Sequence, residues 1–86
     1  MSARISAGAA PVWRELQATV AKNVQEYRDY KGWSTRKLAV LSGVERVTLS
    51  DILEAEGNPT LRTLAKLAYA LEVPVEALVY NRKEGC

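Results

Sequence analysis

The stretch from Trp33 to Ala55 constrains the fold of this chain more than any other, because it predicts two short helices joined by a glycine turn. The first helix is predicted over Thr35–Ser42, where no glycine or proline interrupts the chain and Ser34 can cap the amino end. Gly43 ends this helix, since glycine adopts the left-handed backbone conformation of a sharp turn without steric cost. A second helix is predicted from about Glu45 to Glu54.

The apolar side chains of these two helices indicate how they pack together. The expected buried positions are Leu38 and Leu41 on the first helix and Val44, Leu49 and Ile52 on the second. A small residue, Ala39, lies where two closely crossing helices need their backbones to approach. Two helices related in this way form a helix-turn-helix pattern.

Further residues before and after this pattern extend it with consistent spacing over roughly residues 20–79. They are Val24, Tyr27, Arg28, Gly32, Ser34, Leu38, Ala39, Gly43, Val44, Thr48, Leu49, Ser50, Ile52, Asn58, Pro59, Leu61, Leu64, Leu67, Ala68, Ala70, Leu71, Val73 and Leu78. In this combination the chain resembles the lambda-repressor-like, Cro/C1-type helix-turn-helix DNA-binding domains. The resemblance implies five helices, with the second helix of the motif entering the major groove of DNA.

Apolar residues recur at spacings of three and four from Val12 to about Lys31, which predicts one long helix with one continuous buried face. These residues are Trp13, Leu16, Val20, Val24 and Tyr27. Pro11 marks the start of the helix, where its missing N–H costs nothing. The family's first helix usually begins near Val20, so Trp13 and Leu16 add two turns whose apolar side needs a partner. That partner is either the C-terminal helix or a second subunit, and for Trp13 we favour a place in the core.

The rest of the chain predicts two further helices. The turn Glu56–Pro59 is followed by Thr60, which caps a fourth helix with Leu61, Leu64, Leu67, Ala68 and Leu71 on its core face. Val73 and Pro74 break that helix, and a short fifth helix held by Leu78 is predicted from Val75 to about Tyr80. No repeat or strand-like alternation competes with these helices, so the predicted fold class is all-α: a compact five-helix domain with an extended first helix.

The predicted organisation is a flexible segment over residues 1–10, the helix-turn-helix domain over 11–80 and a polar tail over 81–86. For Arg4 we favour an ordinary frayed terminus over an arm that reaches DNA, because such arms normally carry several basic residues. Cys86, in the tail, can crosslink two subunits under oxidation without being needed for their contact.

Composition bounds the function. The chain has 86 residues, 48% of them hydrophobic, which suffices for one domain. No run of eighteen apolar residues and no signal-peptide pattern occurs, so we expect no membrane span and a cytoplasmic, nucleoid-associated protein. A single cysteine and no histidine exclude an internal disulfide and an ordinary zinc site, so we expect no metal. Nothing in the sequence suggests catalysis, so we expect neither a cofactor nor enzyme activity. The net charge of +2 is a weak argument for nucleic acid, so a DNA surface has to come from where the charges are placed.

The resemblance implies which residues face the base edges. They are Glu45, Arg46, Val47 and Thr48, with Asp51 one turn further along. Arg46 is the leading candidate, because its guanidinium matches the two acceptors of guanine in the major groove. Val47 and Thr48 offer methyl groups to thymine, and the Thr48 hydroxyl is also suited to phosphate. Glu45 and Asp51 can read cytosine, position Arg46 or exclude wrong sequences, and we favour the positioning role.

The residues expected to bind phosphate are Thr35, Arg36, Lys37, Asn58 and Arg62. Three positions depart from the family pattern. Thr35 replaces a frequent glutamine, and Glu56 stands where many relatives have lysine or arginine. Leu53 replaces a glutamate that commonly pairs with the arginine at position 28, so Arg28 either swings to Glu54 or becomes a surface residue while Leu53 joins the core.

The leading hypothesis is a sequence-specific transcriptional regulator, similar to Cro/C1-type repressors, that binds half-sites of a double-stranded DNA operator as a homodimer and blocks or recruits polymerase. An alternative is an antitoxin or other protein-interaction module that binds a toxin and uses the helix-turn-helix for autoregulation. The acidic residues of the second motif helix and the extra turns at Trp13 and Leu16 favour it slightly. A third is the DNA-binding half of a larger repressor.

Overall fold

The computed structural model describes residues 8–81, and these residues form five helices and no strand. The helices are α1 (Ala10–Lys31), α2 (Thr35–Ser42), α3 (Arg46–Leu53), α4 (Leu61–Leu71) and α5 (Glu76–Val79). The predicted all-α fold with an extended first helix is therefore confirmed. The predictions for residues 1–7 and 82–86, including Arg4 and Cys86, lie outside the described residues.

The core lies where α1 packs against α3, α4 and α5, and where α2 packs against α3 and α4. Its largest fully buried side chains come from all five helices: Val24, Leu38, Leu49, Leu67, Leu71 and Leu78. Burial of one such side chain stabilises a fold by about 1.5–3 kcal/mol. Four of the five side chains on which the motif prediction depends, Leu38, Val44, Leu49 and Ile52, belong to this core, and so does Ala39.

The two predicted caps and the glycine turn at Gly43 are confirmed. The Ser34 hydroxyl accepts a hydrogen bond from the Lys37 N–H at 3.0 Å, and the Thr60 hydroxyl accepts one from the Thr63 N–H at 3.1 Å. Gly43 ends α2 at a φ of 78°, which a residue with a side chain rarely adopts. Of these three features, the turn at Gly43 lies between α2 and α3 and sets the direction in which the chain leaves α2.

Two leucines of α2 and α4 that were expected on the core faces are exposed. Leu41 is 49% exposed, because the core lies on the side of α2 between Leu38 and Ala39, and Leu41 is turned about 110° away from it at 100° per residue. Leu61 is 83% exposed. It is the first residue of α4, and the core begins one turn later at Leu64.

The prediction of one continuous buried face on α1 is wrong for the first turns of the helix. Val20 and Val24 are buried, whereas Leu16 is 41% exposed and Trp13 is only partly buried. Trp13 and Leu16 instead line an open groove of about 250 Å³ beside Leu61 and Val79. The short α5 contacts α1, but it leaves this groove uncovered within the described residues.

A buried amide fastens α5 to α1. Asn23 is only 2% exposed, and its side-chain nitrogen donates hydrogen bonds to the carbonyl oxygens of Leu78 at 3.0 Å and Tyr80 at 2.9 Å. These carbonyls lie at the end of α5, where helix carbonyls have no partner within the helix. Asn23 therefore holds the last helix in place. None of the helices within residues 8–81 is long and apolar enough to cross a membrane.

Candidate nucleic-acid interface

Helix α3 has one side fixed in the core and the other side open to solvent. Leu49 and Ile52 lie on its core side, and both are almost fully buried. Arg46, the first residue of α3, is exposed, and Val47 is 74% exposed. Burial therefore holds the helix rigidly while its first turn stays free to contact another molecule.

The predicted base-reading residues lie around this exposed first turn, but they do not form one hydrogen-bonded cluster. Glu45 precedes the helix in an extended conformation, and Thr48 is partly buried. Among the ion pairs and hydrogen bonds of residues 8–81, none joins Arg46 to Glu45 or Asp51. The positioning of Arg46 by these carboxylates is thus absent from the free chain, and their role on DNA remains a prediction.

Asp51 lies against the loop that follows α3. Its Cβ is only 3.3 Å from the point that a Cβ at position 57 would occupy, and Gly57 has a φ of 80°. Asp51 and Thr48 line a shallow cleft of about 330 Å³ with Asn58 and the threonines at the start of α4. The fold thus brings Thr48 and Asp51 to Asn58, which the sequence did not predict.

The loop between α3 and α4 is held by the extra turns of α1. The Gln17 side-chain nitrogen donates to the Gly57 carbonyl at 2.7 Å. The next residue, Asn58, is exposed, and so is Arg62 in the first turn of α4. Glu56 is also exposed, so its carboxylate adds negative charge near the two predicted phosphate-binding residues.

The remaining predicted phosphate-binding residues lie together at the amino end of α2. Thr35 is the first residue of the helix and is partly buried, and Arg36 and Lys37 are exposed. The ammonium of Lys37 lies 5.7 Å from the centroid of the Trp33 ring, and that of Lys31 lies 5.5 Å from it, both within range of a cation–π interaction. The amino end of α2 therefore presents several positive charges next to the unpaired N–H groups of a helix start.

Lys31 has a second partner in Glu72, at a distance of 2.6 Å. The hydrogen bond and the positive charge of Lys31 lower the pKa of the Glu72 carboxyl below its ordinary value. The pair therefore favours the folded state at neutral pH, and this contribution is lost as the pH falls through the lowered pKa. Because Glu72 is exposed, solvent screens the pair.

Arg28 follows neither of the two arrangements expected from the sequence. It does not swing to Glu54, and it is not a free surface residue, since its side chain is only 20% exposed. Its guanidinium donates to the Thr35 hydroxyl at 2.7 Å and to the Asp29 carboxylate at 2.9 Å. Leu53 does pack against the core, as expected. With leucine at position 53, the acceptors that Arg28 finds are its chain neighbour Asp29 and the first residue of α2.

Two residues that join distant segments of the fold were missed in the sequence. Asn23 interrupts the apolar face between Val20 and Val24, and a polar residue at such a position is a signal for a buried hydrogen bond. Gln17 gave no comparable signal, because its partner is a backbone carbonyl of a loop 40 residues away.

Two short helices joined by a sharp turn at Gly43, the second with one side in the core and the other side open to solvent, define a helix-turn-helix protein. The family model described as "Helix-turn-helix" matches residues 24–78, more than half of the chain, and the chain belongs to this family. Among the described residues, no group of three or more acidic, cysteine or histidine side chains is placed to hold a metal ion.

Proteins similar to this chain agree with that assignment. It is 35% identical over 65 residues to the control protein C.SmaI of Serratia marcescens, which covers 76% of this chain and 77% of that protein. It is 33% identical over 64 residues to the HTH-type transcriptional regulator SutR of Escherichia coli, 74% of this chain but only 36% of the regulator. The crystal structure of the hypothetical transcription factor NHTF from Neisseria superposes with a TM-score of 0.79 at 32% identity, covering 85% of this chain and 82% of that one. Family and relatives together identify a DNA-binding transcriptional regulator, a class whose members are not enzymes.

Proposed function

We propose that this regulator binds a double-stranded DNA operator as a homodimer, with α3 of each subunit in the major groove. The observation that carries the proposal is the exposed first turn of α3 on a helix whose opposite side is buried. A rigidly held helix with free side chains at its amino end suits direct contact with base edges. The proposed activity is binding without catalysis, and it belongs in the cytoplasm with the chromosome.

Sequence would be read by the residues of the first turn and by Asp51 one turn later. Arg46 is long, exposed and without an ion-pair partner among the described residues, so its guanidinium is free to pair with guanine. Val47 offers an exposed apolar surface to a thymine methyl. Glu45, Thr48 and Asp51 complete the set: the carboxylates accept from cytosine or orient Arg46, and the threonine contacts a methyl group or a phosphate.

Phosphates would be bound at two helix starts. Thr35, Arg36 and Lys37 lie in the first turn of α2, and Arg62 lies in the first turn of α4 with Asn58 just before it. Backbone N–H groups at a helix start attract anions, and the basic side chains neutralise phosphate charge. These contacts set the register of the protein on DNA and carry no sequence information themselves.

The homodimer is supported by an apolar surface beside the groove at Trp13. Several large apolar side chains are exposed there and at the adjoining helix ends: Val12, Leu16, Leu61, Val79 and Tyr80. Ile52 and Glu56, at the end of α3, also line the groove. A two-fold contact through it therefore sets the α3 helices of two subunits near each other, as reading of two half-sites requires.

A second candidate is a protein-interaction module such as an antitoxin, because the same apolar groove would also accept a helix of a toxin. The two candidates differ in what covers the groove. If the purified protein dimerises through the groove, the first candidate is supported. If it is a monomer that binds DNA weakly, the second candidate is favoured.

The test is selection of bound fragments from random double-stranded DNA, followed by binding of the selected site over a range of salt concentrations. We expect a two-fold symmetric site, and log affinity that falls linearly with log salt, with a slope of about −0.9 for each phosphate neutralised. Arg36→Ala should weaken selected and unrelated sequences equally and reduce the slope by about one. A slope near zero, or no enriched sequence, contradicts the proposal.

A further inference from the structure

The guanidinium of Arg28 reaches from the end of α1 to the start of α2. One terminal nitrogen donates to the Thr35 hydroxyl at 2.7 Å, and the other donates to the Asp29 carboxylate at 2.9 Å. The third nitrogen, Nε, is buried and has no hydrogen-bond partner among the described residues. A buried donor without a partner costs free energy. The guanidinium thus bonds Thr35 although one of its own donors is left unpaired.

Helix stability does not require the Thr35 hydroxyl. The cap of α2 is Ser34, whose hydroxyl already accepts from the Lys37 N–H. Thr35 therefore has a hydroxyl that is held by Arg28 and is not engaged in capping.

The bond from Arg28 determines what that hydroxyl can do. A hydroxyl has one hydrogen to donate and two lone pairs to accept. Because the guanidinium donates to one lone pair, the hydroxyl hydrogen has to point away from Arg28. The bond also polarises the hydroxyl, which makes it a stronger donor.

We infer that Arg28 is a positioning residue for DNA binding, which directs the Thr35 hydroxyl hydrogen at a phosphate of the DNA backbone. This inference rests on the proposed function. Arg36 and Lys37, the next two residues, are exposed and form no ion pair within residues 8–81, so the surface around Thr35 is open and positive. Because the threonine side chain is short, the direction of its hydroxyl decides whether it meets a phosphate.

A double-mutant cycle on the selected DNA site tests the inference. The four proteins are the natural chain, Arg28→Met, Thr35→Val and the double variant, and the measured quantity is affinity at fixed salt. Thr35→Val keeps the shape of the side chain and removes the hydroxyl. We expect each single change to weaken binding by about tenfold, as loss of one hydrogen bond to a charged group does. The double variant should bind no more weakly than Thr35→Val alone.

Two controls separate positioning from charge and from folding. Lys22→Met removes one positive charge from an exposed residue of α1 on the side away from its buried residues, and should change affinity much less than Arg28→Met. Thr35→Ser retains the hydroxyl and should bind nearly as the natural chain does. If Arg28→Met does not fold, Arg28→Lys takes its place in the cycle, with the same expected loss of additivity.

If the two losses of affinity multiply, the double variant binds about a hundredfold more weakly than the natural chain. That result would show that Arg28 acts independently of Thr35, and it would overturn the inference while leaving DNA binding in place. An effect of Arg28→Met equal to that of Lys22→Met would overturn it in the same way. If the natural chain shows no salt-dependent binding to any DNA, the proposed function fails and the inference fails with it.

Discussion

At the scale of single residues, exposed side chains on buried helices carry the proposed sequence reading. Arg46 is the test case, because it is exposed and lies at the first position of α3. Arg46→Ala should cost about 1–3 kcal/mol on the selected site and relax the preference at one base pair in each half-site. The measurement is a set of binding curves for the selected site and for single-base variants of it.

The control at this scale is Arg46→Lys, which keeps the charge and loses the planar fork. It should retain much of the nonspecific affinity and less of the specificity. Neither change should alter the unfolding free energy by more than about 0.5 kcal/mol, since the residue is exposed. If Arg46→Ala weakens all sequences equally, Arg46 contacts phosphate, and the base-reading residue has to be sought at Val47, Thr48 or Asp51.

At the scale of the helices, side-chain amides attach one element to the backbone of another. Asn23 joins α1 to the end of α5 through two hydrogen bonds. Asn23→Ala leaves two carbonyl groups without their donor and should reduce the unfolding free energy by about 1–3 kcal/mol in urea denaturation. Gln25→Ala is the matched control, because it removes an exposed hydrogen bond of 3.3 Å from a side-chain amide to the Leu53 carbonyl. This change should reduce the unfolding free energy by less than about 0.5 kcal/mol. Equal losses of unfolding free energy for the two variants would show that the buried hydrogen bonds of Asn23 stabilise the fold no more than an exposed one does.

At the scale of the whole molecule, the apolar surface beside Trp13 predicts how two subunits meet. Leu61→Glu places a charge at a side chain that is exposed in the single chain, so the domain should fold while the dimer dissociates in sedimentation measurements without DNA. Tyr69→Glu, two turns further along α4 and equally exposed, should leave the dimer intact. A chain that is monomeric both free and on its selected site, or a Leu61→Glu variant that still dimerises, contradicts the predicted interface.

The sequence alone was sufficient for the five helices, their caps and the motif, because these depend on residues close together in the chain. The bond from Ser34 to Lys37 and the left-handed conformation of Gly43 each involve only a few neighbouring positions. The positions of Leu49 and Ile52 in the core likewise follow from helical spacing. The predicted roles of the DNA-contacting residues come from this local register together with the family pattern, and they remain predictions.

Only the tertiary structure decided the contacts between distant segments. The amide of Asn23 meets a carbonyl 55 positions away, and no periodicity specifies that partner. The partner of Arg28 could not be predicted for a similar reason. Because Leu53 is not a carboxylate, the way the helices cross determines which acceptor the guanidinium meets. Trp13, Leu16 and Leu61 have the spacing of core residues, but they line an open groove that the neighbouring helices do not cover. Helical spacing shows which side of a helix is apolar, whereas burial requires a second element to cover that side, and this depends on how the helices pack.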